Sequence, residues 1–207
     1  MEKEKKANKK TGKIIGVVVL FIVIVLAILV GIRVSILTKI QTEYAKNRKS
    51  NNYYYHSISD GTVIDCWRKE GTIRMNLKQV EGEGKLTLWK DTDKAESITL
   101  YENAKQYSEG EEIAMLDSFP THFTAQENTA WLIAINPKVS IKTEQYEGKK
   151  CYKIKIGKQE EWIEKQTGLV LASKTEEKVR KVNYSFDTVT KDNVQKPELT
   201  QYTKIEK

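Results

Sequence analysis

Residues 14–32 run for 19 positions without a charged side chain, and Lys9, Lys10 and Lys13 stand just before them. As a helix rising about 1.5 Å per residue, such a run spans roughly 28 Å, close to the hydrocarbon thickness of a bilayer. A cleavable signal peptide begins in the same way, but its apolar core is usually about 7–15 residues long. Here the run passes into Arg33 with no small-x-small cleavage pattern, so a retained signal anchor is expected, with cleavage as the alternative. No cysteine lies near the end of the run, which excludes a lipidated cysteine of the lipoprotein type. Lys3, Lys5, Lys6, Lys9, Lys10 and Lys13 precede the span. Only Arg33, Lys39 and Lys46 follow within about 15 residues, so the N-terminus is expected in the cytoplasm and the remainder outside.

The net charge of +7 follows the same division. Residues 1–33 carry seven Lys and Arg against two Glu, a balance of +5, and residues 34–207 carry 28 against 26. The basicity is mostly topogenic, and beyond the anchor the signs are interspersed as on a solvated surface, with no basic arm for nucleic acid. The expected organisation is a basic cytoplasmic tail (1–13), a transmembrane helix (14–32), a juxtamembrane helix or stalk (33–50) and one extracytoplasmic domain (51–207).

After Asn51 the pattern has period two. Ile73, Met75 and Leu77 alternate with Arg74, Asn76 and Lys78, which puts the apolar set on one face of a strand. Leu86 and Leu88, Ile98 and Leu100, Val139 and Ile141, Tyr152, Ile154 and Ile156, and Val182, Tyr184 and Phe186 repeat the theme. Turn signals separate them at Asp60-Gly61, Glu70-Gly71, Gly82-Glu83-Gly84, Glu109-Gly110, Glu147-Gly148, Gly157 and Thr167-Gly168. The pattern predicts roughly eight to eleven antiparallel strands in an α+β fold. Tyr53-Tyr54-Tyr55 reads as a first strand covered on both faces. Residues 113–135 form an apolar insert in which Thr124-Ala125-Gln126-Glu127 fits a capping box and Asn136-Pro137 a stop, predicting a helix over about 125–135. This insert and the juxtamembrane helix either complete the core or cover a ligand cavity.

Few residues carry chemistry. His56 and His122 have no metal-ligand spacing with Cys or carboxylates, and the glycines build neither a P-loop nor a nucleophile elbow. Glu111-Glu112 and Glu160-Glu161 flank turns, where solvation accounts for them. No catalytic residue, metal or cofactor is expected, and the chain reads as a non-enzyme. Cys66 and Cys151 fall in predicted strands outside the membrane. A bridge between them would close a loop of about 85 residues and stabilise by roughly 4–5 kcal/mol. The alternative is two buried thiols acting as small apolar residues.

The C-terminal third carries a resemblance. Residues 146–154, the segment Ile163-Glu164-Lys165-Gln166-Thr167-Gly168-Leu169, Tyr184-Ser185-Phe186 and residues 192–199 resemble in order the strands and turns of the LolA-like family, the lipoprotein-carrier domains of bacterial envelopes. Residues 53–79 are similar to the family's opening strands. The resemblance covers roughly residues 50–202 and implies an incomplete, strongly curved β-barrel capped by helices around an apolar concavity. It brings no catalytic signature. The expected function is a membrane-anchored extracytoplasmic protein that binds a lipid, a lipoprotein segment or another hydrophobic ligand. Met75, Trp89, Tyr101, Met115, Phe119, Phe123 and Trp131 are the expected ligand contacts, chosen for aromatic or flexible character near the concave face or lid. The other expectation is a sensor or assembly module that binds an envelope protein.

Overall fold

The computed structural model describes residues 2–207 other than 83, 118, 125–128, 177, 206 and 207, with the backbone alone over 2–13. The first element, α1 (Glu2–Asn47), is one continuous helix of 46 residues. Its apolar stretch is long and hydrophobic enough to cross a membrane, and its side chains there are exposed, Val17 at 67% and Phe21 at 66%. Beyond Arg33 the helix changes character. Leu37, Ile40 and Tyr44, spaced to share one face, are buried. The residues expected to form a juxtamembrane helix or stalk continue α1 to Asn47 and pack against the sheet.

Among the described residues twelve strands follow: β1 (Asn52–Ser59), β2 (Thr62–Lys69), β3 (Thr72–Gln79), β4 (Lys85–Asp91), β5 (Glu96–Tyr101), β6 (Gln106–Glu109), β7 (Val139–Tyr146), β8 (Lys149–Ile156), β9 (Gln159–Glu164), β10 (Val170–Thr175), β11 (Lys178–Phe186) and β12 (Thr203–Lys204). They form one open sheet in the order β12-β6-β5-β4-β3-β2-β1-β11-β10-β9-β8-β7. All neighbours are antiparallel except β12, which runs parallel to β6. The twelfth strand exceeds the expected count because two residues present no periodicity to read. Tight hairpins hold the register: Asp60 and Gly61, both at positive φ (46° and 71°), form a two-residue turn whose twist matches the flanking strands.

Cross-strand pairing sorts the side chains onto two faces. On one face lies the row Leu88–Met75–Cys66–Tyr55–Tyr184. Its first four members belong to the main core cluster, and Leu116 of the short helix Ala114–Asp117 packs among them. Each such full burial contributes about 1.5–3 kcal/mol. A second cluster on this face joins Leu37 and Ile40 of α1 and Ala130 and Ala134 of α2 (Ala130–Ile135) to Val139, Ile154 and Ile163. Of the predicted capping box only Thr124 is described; its other three residues and the start of the predicted helix lie outside the described residues, and the helix described is the single turn and a half of α2.

The opposite face is covered in part by the C-terminal segment. Trp89 is buried there, and its indole N–H donates to Val194 O at 2.9 Å. Lys69 Nζ donates to Val189 O, and the Lys196–Glu96 and Lys204–Glu109 pairs fasten the segment along the sheet edge.

The expected Cys66–Cys151 bridge is corrected: both thiols are free and buried. Four strands separate β2 from β8, and Cys66 lies on the Tyr55 face whereas Cys151 alternates with Tyr152 and Ile154 and so points from the other. Burial pushes the Cys66 thiol up to about 12.

Candidate functional site

The Tyr55 face carries two features of functional interest, an apolar strip left partly open and a buried polar knot beside it. The strip is the row Tyr101–Leu86–Leu77–Ile64–Ser57–Val182, one pairing step from the fully buried Met75 row. Leu86, Leu77 and Ile64 pack against the core yet remain half-exposed. Strand alternation predicts which face these residues share; that this row stays open depends on how far the insert and α1 reach, which one strand's pattern does not encode.

The expected contact residues fall into three groups. Met75 (1% exposed), Tyr101 and Phe119 are on or against the Tyr55 face. The Phe119 ring packs edge-on to Tyr53 at 5.0 Å and stacks on Tyr184 at 5.7 Å, bridging the core to Tyr44 of α1. Phe123 packs in the α1 cluster. Trp89 is corrected to the opposite face, because Met75 pairs with Leu88 and the next residue must point away. Met115 (49%) and Trp131 (57%) are exposed and turn away from the packed clusters. The seven residues therefore do not converge on one site.

The polar knot is a feature that sequence reading missed. His122 is buried, its Nε2 lies 3.1 Å from Gly168 O and its Nδ1 2.7 Å from Thr124 Oγ1. A carbonyl only accepts, so Nε2 carries the proton and Nδ1 accepts from the threonine hydroxyl. Burial holds the imidazole down at about 4, and it is neutral. Glu161, expected to be solvated beside a turn, is 2% exposed within β9; its neighbour Glu160 faces the other way and pairs with Lys153 and Lys155. Glu161 Oε1 accepts the Phe123 backbone N–H at 3.1 Å, while Oε2 has no hydrogen-bond partner and stands 3.8 Å from His122 Nδ1. Desolvation raises this carboxyl to about 8 against a smaller opposing pull from the Phe123 N–H and Arg180.

The knot joins four elements. Gln41 of α1 donates to Thr124 O at 3.1 Å, and Tyr44 meets the His122 ring edge-on at 5.0 Å. Gly168 has φ +68°, and a Cβ there would stand 2.5 Å from Ile40 O and 2.6 Å from Tyr44 N. Only glycine lets the β9–β10 turn touch the α1 backbone. With both imidazole nitrogens bonded, the knot ties α1, the insert, β9 and the β9–β10 turn together. Among the described residues no group of three or more His, Cys, Asp or Glu side chains gathers as metal ligands.

No protein-family model matches the chain, and no curated protein matches it. Among solved structures, an uncharacterized conserved protein from Thermus thermophilus is similar over 81% of this chain and 98% of its own, at 10% identity and a TM-score of 0.49.

Proposed function

We propose that this protein is a membrane-anchored extracytoplasmic binding protein that holds a lipid acyl chain or another hydrophobic ligand on the Tyr55 face of its sheet. The observation that carries this reading is the half-open strip of Leu86, Leu77 and Ile64 beside a closed core row. A soluble sheet gains by covering such a strip, and an apolar chain laid along it would contribute about 0.8 kcal/mol per buried methylene. The hydroxyl of Tyr184, buried without a partner on the same face, offers a polar point beside the apolar run. The LolA-like resemblance points to the same use of a curved sheet, with the 113–135 insert and the end of α1 as covers held by the His122 knot. The lysine excess before the span supports a cytoplasmic N-terminus with the sheet outside.

The test is retention of a fluorescent palmitate analogue by the full chain in nanodiscs. Leu77→Asp is expected to weaken retention at least about tenfold while circular dichroism keeps the sheet signature. Undiminished retention by that folded variant contradicts the assignment of the site.

One observation favours a second reading. Among the described residues strand β7 stands at the end of the sheet order with one edge unpaired, a template for a partner's strand. A proline at Thr143, in the middle of β7, would separate the two readings, since it blocks strand addition and leaves the Leu77 strip untouched.

A further inference from the structure

The sheet has two ends, and α1 distinguishes them. Gly168 of the β9–β10 turn and Thr167 O, which accepts from Asn47, lie against the C-terminal turns of α1. At the other end Val139 and Ile156 share a cluster with Val30 and Val34, where the helix leaves its apolar span. The hairpin turns at 60–61 and 157–158, and the turn that leaves β3 after Gln79, all open toward this second end.

Helix α2 lies along α1 at the same level. Its beginning is tied to Gln41, whose amide reaches Thr129 Oγ1 at 3.3 Å, and its end to Arg33, whose Nη1 donates to Ala134 O at 3.3 Å. Ala130 and Ala134 face inward, four residues apart, so Trp131, Leu132 and Ile135 face outward, at 57%, 63% and 45% exposure. A water-soluble surface has no reason to place three large apolar side chains on the outer face of so short a helix. Ile58, Val80 and Val179, also exposed, stand at this same end of the sheet. Beside them a cleft of about 790 Å³ is lined by Lys155, Lys158, Lys174 and Lys178 against Glu160 and Glu176.

We propose that α2 is seated in the outer interface of the bilayer, Trp131, Leu132 and Ile135 dipping among the acyl-chain ends while the lysine-rich rim meets anionic headgroups. Continuity selects this occupant: the Arg33–Ala134 hydrogen bond sets the end of α2 within one residue of the end of the apolar run, so its outward face meets the same membrane boundary that α1 crosses. Tryptophan at headgroup depth and lysine toward anionic lipid are the side chains that such a boundary favours. The domain then stands with the open end of its apolar strip toward the membrane. This inference rests on α1 crossing the bilayer and not on any occupant of the sheet.

The experiment uses the full chain in nanodiscs of phosphatidylcholine with phosphatidylglycerol, carrying one nitroxide at a time at Leu132→Cys, Lys94→Cys or Leu26→Cys. Signal from the buried native thiols is subtracted using labelled wild type. Collision with oxygen relative to a water-soluble nickel chelate is expected to be several-fold higher at 132 than at 94, which lies on a turn at the distal end, and highest at 26. Equal ratios at 132 and 94 would overturn the proposal. A label at 132 shielded from both reagents would also overturn it, assigning the face to a protein partner or a second copy. A water-like label at 26 would refute the anchor itself, a failure distinct from loss of ligand by the sheet.

Discussion

At the scale of single residues, Glu161 and His122 carry opposite pH signatures. The Glu161 carboxyl keeps its proton to about 8 in the folded chain, against an ordinary value of 4.5, so folding takes up a proton between those limits and stability falls as pH rises through them. His122 is held to about 4 against 6.5, so folding expels a proton there and stability rises with pH over that range. The two effects oppose each other up to about pH 6.5, leaving a net loss of about 1–2 kcal/mol between roughly pH 6.5 and 8. Glu161→Gln keeps an acceptor for the Phe123 N–H and is expected to abolish that loss. Denaturant unfolding of the full chain in detergent at the two pH values checks it, and an unchanged slope would mean that Glu161 is not the titrating group. None of this was legible in the sequence. Glu160 and Glu161 are adjacent and chemically identical, and only the face each occupies on β9 makes one an ion-pair partner of Lys153 and Lys155 and the other a buried acid.

At the scale of elements, alternation was readable and reach was not. The alternation of Ile73, Met75 and Leu77 is that of β3, and Asp60-Gly61, Glu70-Gly71 and Glu147-Gly148 mark hairpins, because both signals are local. A juxtamembrane helix covering the sheet was expected, but which residues it meets was hidden. Leu37, Ile40 and Tyr44 form a sparse stripe among polar neighbours, and what they meet, from Phe119 and Ala130 to Ile163 and Leu169, lies far later in the chain. Trp89 shows the limit in the other direction: its type fitted a ligand contact, but its parity against Met75 placed it under the C-terminal segment. The close approach at Gly168 gives the element-scale prediction. Gly168→Ala sets a Cβ against the backbone of α1 at positive φ and is expected to cost about 1–3 kcal/mol. Hydrogen exchange should accelerate across residues 37–47 and leave β3 to β5 protected; exchange unchanged in the helix would contradict the docking.

At the scale of the whole molecule, the chain combines an apolar helix fit to span a membrane, an open antiparallel sheet of twelve strands, and a face of that sheet on which a closed core row adjoins a half-open apolar one. The apolar helix and the sheet were legible because each rests on a local pattern, an unbroken apolar run in one and alternation in the other. The site was not, because Met75, Phe119 and Tyr101 gather on the Tyr55 face only once cross-strand register is known. That register also sends Trp89 to the other face, and Met115 and Trp131 pack in neither cluster. The central claim is that the Tyr55 face holds an apolar ligand. The most direct measurement is native mass spectrometry, with lipid extraction, of the full chain taken from bacterial envelope membranes. The account predicts a stoichiometric acyl-chain ligand on the wild-type protein and its loss from folded Leu77→Asp; a folded wild-type chain that carries no such ligand would contradict it.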